Sequence, residues 1–124
     1  MAVTKQYFEC LPAGTSVPAG TAKAAPVVGQ TIDARTLLGG ELVYRIVNSG
    51  AVGAPCTIMF QTSPDAVNWF DYMPVSSSDL LSGTVTQGPS VPLGRGAMYV
   101  RAIAYNNTTS ACTVEAGAQM LKSL

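Results

Sequence analysis

The sequence predicts an all-β fold: an antiparallel two-sheet sandwich of jelly-roll or Greek-key type, with about seven to eight strands. Short runs of β-branched and aromatic residues recur between turn formers, at the spacing typical of sandwiches and barrels. Apolar residues nowhere recur at helical spacing over more than two turns without an intervening Gly or Pro. Uneven loops, long at residues 11–26 and 88–97, favour crossover connections over an up-and-down barrel.

In the first part of the chain, three alternating runs predict strands. Residues 2–9 predict an edge strand or an arm. Residues 11–26 contain three prolines and two glycines, which predicts an extended segment that packs poorly on itself. Two further strands are predicted at residues 30–35 and 41–48, and both faces of the second are largely apolar.

The middle of the chain, residues 57–72, predicts a β-hairpin. Strand formers fill both arms, and Ser63-Pro64-Asp65 is turn chemistry, because proline presets φ while the serine and aspartate side chains can bond the turn's own amides. In the second arm, residues 69–72, Trp69 and Asp71 share one face and Phe70 and Tyr72 the other. We expect one of these faces to be core, and for Trp69 we favour a plug at one end of the sandwich over an exposed binding surface.

Three more strands complete the prediction. Residues 81–87 form a weak candidate between serines and a Gly-Pro pair, whereas residues 98–105 and 112–120 are stronger. The last strand is expected to place one set of apolar side chains on a single face: Cys112, Val114, Ala116, Ala118 and Met120.

The length predicts one globular domain, made of an N-terminal strand or extended arm at residues 1–26 and a β-sandwich at residues 27–124. A loop as long as residues 11–26 is usually functional, disordered or held by a partner. We therefore expect the arm to lie along another molecule, where strand addition could satisfy its amides.

The composition is weakly charged, with 11% charged residues against about 25% in ordinary soluble domains. A protein alone in water needs charge to stay dispersed, so this scarcity predicts that neighbouring subunits or a larger assembly cover much of the surface. The alternative is an ordinary β domain rich in Ser, Thr and Gly. Seven basic residues balance seven acidic ones without clustering, which argues against nucleic acid as a partner. No apolar run would span a membrane, and the N-terminus lacks the pattern of a signal peptide, so we expect synthesis in the cytoplasm.

Catalytic chemistry is not indicated. The chain has no histidine, which excludes the Ser-His-Asp triad, a Cys-His pair and most zinc sites. Asp65, Asn68 and Asp71 bring oxygen ligands to one hairpin and raise the alternative of a calcium site, but their spacing does not match a known calcium loop and favours turn capping. We predict no enzyme activity, no cofactor and no metal.

The three cysteines form an odd set without short-range pairing, and we interpret them as reduced, buried side chains. Cys56 and Cys112 open similar runs, Cys-Thr-Ile and Cys-Thr-Val, so they are expected at comparable heights on neighbouring strands. A bridge between them stays open, although a reducing cytoplasm disfavours it.

The hairpin motif Ser63-Pro64-Asp65-Ala66-Val67-Asn68-Trp69 resembles the Ser-Pro-Asp-Gly-x-x-Trp hairpin of small β-sandwich proteins in tailed bacteriophage particles. Ala66 stands where that pattern prefers glycine, so the turn is expected to differ in type. The resemblance to capsid decoration, or cement, proteins covers about residues 30–120. It extends over these further runs: Thr31-Ile32-Asp33-Ala34-Arg35, Leu42 to Gly50, Tyr99-Val100-Arg101 and Cys112-Thr113-Val114.

This resemblance implies a structural virion protein that stabilises a phage head by bridging capsomers. Its expected partner is the major capsid protein, its expected state a homotrimer, and its expected location the capsid surface. The alternatives are a carbohydrate-binding module of a tail or fibre, with Trp69 and Tyr72 as a stacking platform, or another head or tail accessory protein. The candidate interface residues are Tyr7, Phe8, Leu11, Pro12, Val17, Pro18, Trp69 and Tyr72.

Overall fold

The computed structural model describes residues 2–48, 56–77, 85–87, 91–94, 96–106 and 110–123. These residues form ten strands and no helix, so none of them lies in a helix that could cross a membrane. The strands are β1 (Val3–Val17), β2 (Val27–Val28), β3 (Ile32–Asp33), β4 (Leu37–Asn48), β5 (Thr57–Ser63), β6 (Phe70–Ser76), β7 (Val85–Gln87), β8 (Val91–Leu93), β9 (Tyr99–Tyr105) and β10 (Cys112–Ser123).

The strands build two antiparallel five-stranded sheets packed face to face, which confirms the all-β sandwich. The first sheet has the order β1-β10-β4-β7, with β8 also pairing β4. The second has the order β2-β9-β5-β6, with β3 also pairing β9. Most neighbours are not consecutive in the chain, because the chain crosses repeatedly from one sheet to the other, as the uneven loops predict.

The core lies between the sheets and follows the predicted period of two. On β10 the predicted inward face is confirmed, since Cys112, Val114, Ala116, Ala118 and Met120 are all buried. Ile58 and Phe60 on β5 meet this layer from the second sheet. Since such alternation follows from strand geometry alone, it could be predicted without knowing which strands pair.

The first strand is longer than predicted, because it runs through Val17 instead of ending at residue 9. It pairs with β10 and shifts register twice, between Glu9 and Leu11 and between Leu11 and Thr15. The shifts bury the consecutive residues Cys10 and Leu11, which breaks the alternation that marks a strand in sequence. Residues 11–17 of the segment predicted to pack poorly on itself are therefore strand, and they supply core side chains.

Short strands account for the remaining differences between the predicted and the observed strands. β2 and β8 span two and three residues, too few for any periodic pattern to mark them. The predicted strand at residues 30–35 is confined to Ile32–Asp33. Of the predicted strand at residues 81–87, only Val85–Gln87 lies within the described residues.

The interpretation of all three cysteines as reduced is wrong for two of them. Cys56 precedes β5 in the second sheet, Cys112 begins β10 in the first, and the two form a disulfide that joins the sheets. Cys10 is free and buried, and burial raises the pKa of its thiol to about 12. Cys10 is therefore a structural side chain and not a reactive one.

Candidate functional site

The carboxylate of Asp65 is occupied by the turn that it organises. Its Oδ1 accepts hydrogen bonds from the amides of Asn68 at 2.8 Å and Val67 at 2.9 Å and from Ser63 Oγ at 3.0 Å, and its Oδ2 accepts one from Asn68 Nδ2 at 2.8 Å. These bonds, the Asn68 amide foremost, hold the pKa of Asp65 well below its usual range. The structure favours turn capping over calcium, since a cation would have to displace these donors.

Metal ligation is not supported elsewhere in the described residues either. No three His, Cys, Asp or Glu side chains in that part of the chain come together as a ligand cluster. Asp71, the third prospective calcium ligand of the hairpin, binds Lys23 and Gln61 instead.

A network of five side chains covers part of the outer face of the second sheet. We call it the outer-face network, and its members are Trp69, Arg101, Gln61, Asp71 and Lys23. The Arg101 guanidinium carbon lies 4.3 Å from the centroid of the Trp69 ring, and Arg101 Nε donates to Gln61 Oε1 at 2.9 Å. Gln61 Nε2 donates to Asp71 Oδ1 at 2.9 Å, and Lys23 Nζ donates to Asp71 Oδ2 at 2.6 Å.

Strand register places the central members of this network. Arg101 lies between the core residues Val100 and Ala102 on β9, so it points outward, and it is paired with Gln61 on β5. A register shift between Phe60 and Gln61 then pairs Gln61 with Asp71. The irregularity in β6 thus brings the Asp71 carboxylate next to the Gln61 amide.

Lys23 reaches Asp71 across the sheet. The turn at residues 22–25 precedes β2, whereas Asp71 lies on β6, and β2 and β6 are opposite edges of the second sheet. The ion pair therefore requires this turn to lie across the outer face. On the same outer face, Met59 and Ile103 stand outside the core cluster and are only 7% and 3% exposed.

The network corrects the expectation that Trp69 plugs one end of the sandwich. Trp69 is half-buried, stands outside the core cluster and stacks with Arg101 instead. Burial lowers the pKa of Arg101, since a desolvated cation is disfavoured. The Lys23 ammonium holds the pKa of Asp71 below its usual value.

A second exposed feature is the β6 edge surface, formed by Phe70, Tyr72 and Met73. Among the described strands, β6 is the last of its sheet, and these side chains are 61%, 42% and 40% exposed. Tyr72 Oη donates to the Pro92 carbonyl of the other sheet at 2.7 Å, which fixes the ring at the open side of the sandwich. We treat these three exposed side chains as a candidate interaction surface, since grouped apolar side chains at a protein surface can form binding sites.

The candidate interface residues of the N-terminal segment divide between surface and core. The prediction that Leu11 and Val17 are interface residues is wrong, because both are buried in the core and cannot contact a partner. Phe8 is half-buried against the core, while Pro12 and Pro18 are exposed.

Tyr7 is exposed on the outer face of the first sheet, where its ring lies against Gly117. Burial of its hydroxyl, with the nearby carboxylates of Glu115 and Glu9, raises the pKa of Tyr7. Trp69 and Tyr72, predicted on different faces of the second hairpin arm, also have separate contacts, Arg101 for the first and Pro92 for the second.

The sequence patterns did not mark Arg101, Gln61 and Lys23 as site residues. A signal for the first two was present, since each is a long polar side chain inside an otherwise apolar strand run. Period two places such residues on an outer face, but it does not say which strands are neighbours.

Comparisons with known proteins found weak structural similarities. No family model and no curated protein matches the chain. The SPBc2 prophage-derived protein YomS aligns at 17% identity over 96% of each chain, with a TM-score of 0.49. Part of the infectious bursal disease virus Gx strain structure aligns at 10% identity and a TM-score of 0.49, and this chain spans 32% of that one. A carbohydrate-binding module of family 29 aligns at 11% identity over 94% of this chain and 89% of that one, with a TM-score of 0.39. Similarities at this level do not establish a shared family or function.

Proposed function

We propose that the protein is a non-enzymatic structural protein of a tailed-phage virion, of the capsid decoration type. In this function it forms a homotrimer on the capsid surface and bridges subunits of the major capsid protein. The observation that carries the proposal is the β6 edge surface, a group of exposed apolar side chains on a strand with no second strand partner among the described residues, in a protein with only 11% charged residues. The kind of particle, a tailed-phage virion, is taken from the resemblance of the hairpin motif.

Contacts between opposite sides of the sandwich in neighbouring subunits would build a ring of subunits. In the part of the chain that the structure describes, β1 is an edge strand of the first sheet and lies against β3 and β9, whereas β6 lies at the opposite side, next to β8. Contact between two different edges is heterologous, and it gives a closed ring when the rotation between subunits closes. The number of subunits in the ring, three, is taken from the resemblance to capsid decoration proteins.

The carbohydrate-binding alternative required Trp69 and Tyr72 to form one stacking platform. One face of the Trp69 ring already carries the Arg101 guanidinium, and the Tyr72 hydroxyl is directed to the Pro92 carbonyl. Because these contacts engage the two rings separately, we favour the structural function over a shared stacking platform.

The test is the native mass of the purified chain, measured by light scattering alone and after mixing with emptied capsids of the phage that encodes it. We expect a trimer that co-sediments with the capsids. The double variant Phe70→Ser, Met73→Ser should be monomeric and remain in the supernatant. Met98→Ser is the matched control, because Met98 is 48% exposed but lies outside the β6 edge.

A wild-type monomer that ignores capsids would contradict the proposal. Deleting residues 1–26 is not a usable test, because the deletion removes Leu11 and Val17 from the core and would unfold the protein.

A further inference from the structure

We propose that Arg101, stacked on Trp69 and held by Gln61, binds a carboxylate of a protein partner on the outer face of the second sheet. That the partner is a protein rests on the proposed function, whereas the carboxylate chemistry follows from the site itself.

The inference starts from the hydrogen bonds that Arg101 lacks. A guanidinium has five N–H donors, and within the described part of the chain only its Nε–H has an acceptor, Gln61 Oε1 at 2.9 Å. The four N–H groups on the two Nη atoms have none there. Arg101 is half-buried, but none of its nitrogen atoms is a fully buried atom without a partner, so its free N–H groups can meet an acceptor that arrives from outside.

The charges of the network do not compensate Arg101. The carboxylate of Asp71 is the network's only anion, and both of its oxygens are already engaged, one by Lys23 and one by Gln61. Two cations and one anion leave one positive charge. Gln61 connects the Lys23–Asp71 ion pair to Arg101, because its amide donates to Asp71 and accepts from Arg101.

A second arginine of the same chain has the arrangement that Arg101 lacks. Arg35 also lies over an aromatic ring, with its guanidinium carbon 5.1 Å from the centroid of Tyr99. Its Nε and Nη2 bind the two oxygens of Asp33 at 2.9 Å and 2.7 Å. This is the bidentate geometry in which arginine recognises carboxylates, and Arg101 is stacked in the same way without the acid.

The surroundings favour a protein as the source of the acid. Tryptophan and arginine are the residues most enriched at the energetic centres of protein interfaces. Both side chains are held in place before binding, Arg101 by Gln61 and Trp69 by Arg101, so little ordering remains when a partner docks.

The sole tryptophan of the chain makes the site observable. The experiment follows the Trp69 indole NMR signal during titration with N-acetylglutamate methylamide and with its neutral counterpart, N-acetylglutamine methylamide. A second pair of probes is glucuronate and glucose. We expect saturable shifts with the glutamate probe, with a Kd on the order of 1 mM for a ligand of this size, and none with the glutamine probe.

Two variants test the assignment. Arg101→Gln should weaken binding of the glutamate probe by about tenfold, which corresponds to about 1.4 kcal/mol. Arg35→Gln, the matched control, should bind like wild type, and circular dichroism should show both variants folded.

The other outcomes overturn the inference. Equal binding of the glutamate and glutamine probes, or unchanged binding by Arg101→Gln, would remove the carboxylate site. Glucuronate binding at least tenfold tighter than the glutamate probe would assign the site to an acidic sugar instead of a protein. Since no capsid takes part, failure here leaves the decoration function standing, and failure of capsid binding leaves this titration interpretable.

Discussion

At the residue scale, the hairpin tip depends on one alanine in a conformation that usually belongs to glycine. Ala66 has φ of 62°, in the left-handed region. The resemblance predicted a different turn because alanine replaces glycine there, but Ala66 itself adopts the positive φ. The bonds of Asp65 to Val67 and Asn68, with that of the Ala66 amide to Ser63 Oγ at 2.9 Å, hold the backbone in this state.

Ala66→Gly should therefore stabilise the protein. An alanine in the left-handed region costs about 1–2 kcal/mol, and the larger freedom of glycine in the unfolded chain cancels part of the gain. We expect about 0.5–1 kcal/mol of added stability, measured by chemical denaturation. The matched control is Gly14→Ala, at φ of 80° with open space around it, which should destabilise by about 1 kcal/mol. A loss of stability in Ala66→Gly would contradict a strained tip.

At the element scale, the pairing of β1 with β10 depends on close approach at Gly117. A Cβ there would meet the Tyr7 hydroxyl and the Phe8 carbonyl oxygen, the latter at 2.6 Å. The Tyr7 ring lies over the glycine, so β10 has no room for a side chain at this position beside β1. Tyr7, on the outward face of β1, thus packs directly against the backbone of β10 at Gly117.

Gly117→Ala should destabilise the protein by about 1–3 kcal/mol, the usual range for overpacking. Removing the tyrosine ring in the double variant Tyr7→Ala, Gly117→Ala should not restore stability, because the Phe8 carbonyl oxygen is backbone and remains in place. Denaturation midpoints of both variants and of Tyr7→Ala alone check this. Full rescue by the double variant would show that the ring is the whole obstacle.

At the scale of the whole molecule, one covalent bond joins the two sheets. The disulfide links Cys56 and Cys112 across a sequence separation of 56 residues. Beside it, Ser77 Oγ accepts the Cys56 amide at 3.2 Å and donates to Asn48 Oδ1 at 3.2 Å. Both layers are thus tied at one end of the sandwich by a bond and by buried polar contacts.

Reduction of this bond should lower the free energy of unfolding by about 4 kcal/mol, the chain-entropy value for a loop of this length. The check is denaturant unfolding with and without dithiothreitol. A thiol count on the unfolded chain provides the control: one reactive thiol, Cys10, without reductant and three with it. Three thiols without reductant would show that the cysteines are not paired.

The sequence by itself determined the all-β class, the two-sheet arrangement and the inward face of strands such as β10. These features depend on period two, which is local and visible in one strand at a time. Composition alone also excluded histidine-based chemistry, because the chain contains no histidine.

Only the tertiary structure decided the burial of Leu11 and Val17, the pairing of Cys56 with Cys112, and the meeting of Gln61 with Arg101, which are 40 positions apart. Each depends on register shifts and on which strands become neighbours. Those choices are made by packing across the whole chain, so no short run of residues encodes them. The candidate binding site is made of such long-range contacts, and for this reason the hairpin motif marked Trp69 without revealing its partner.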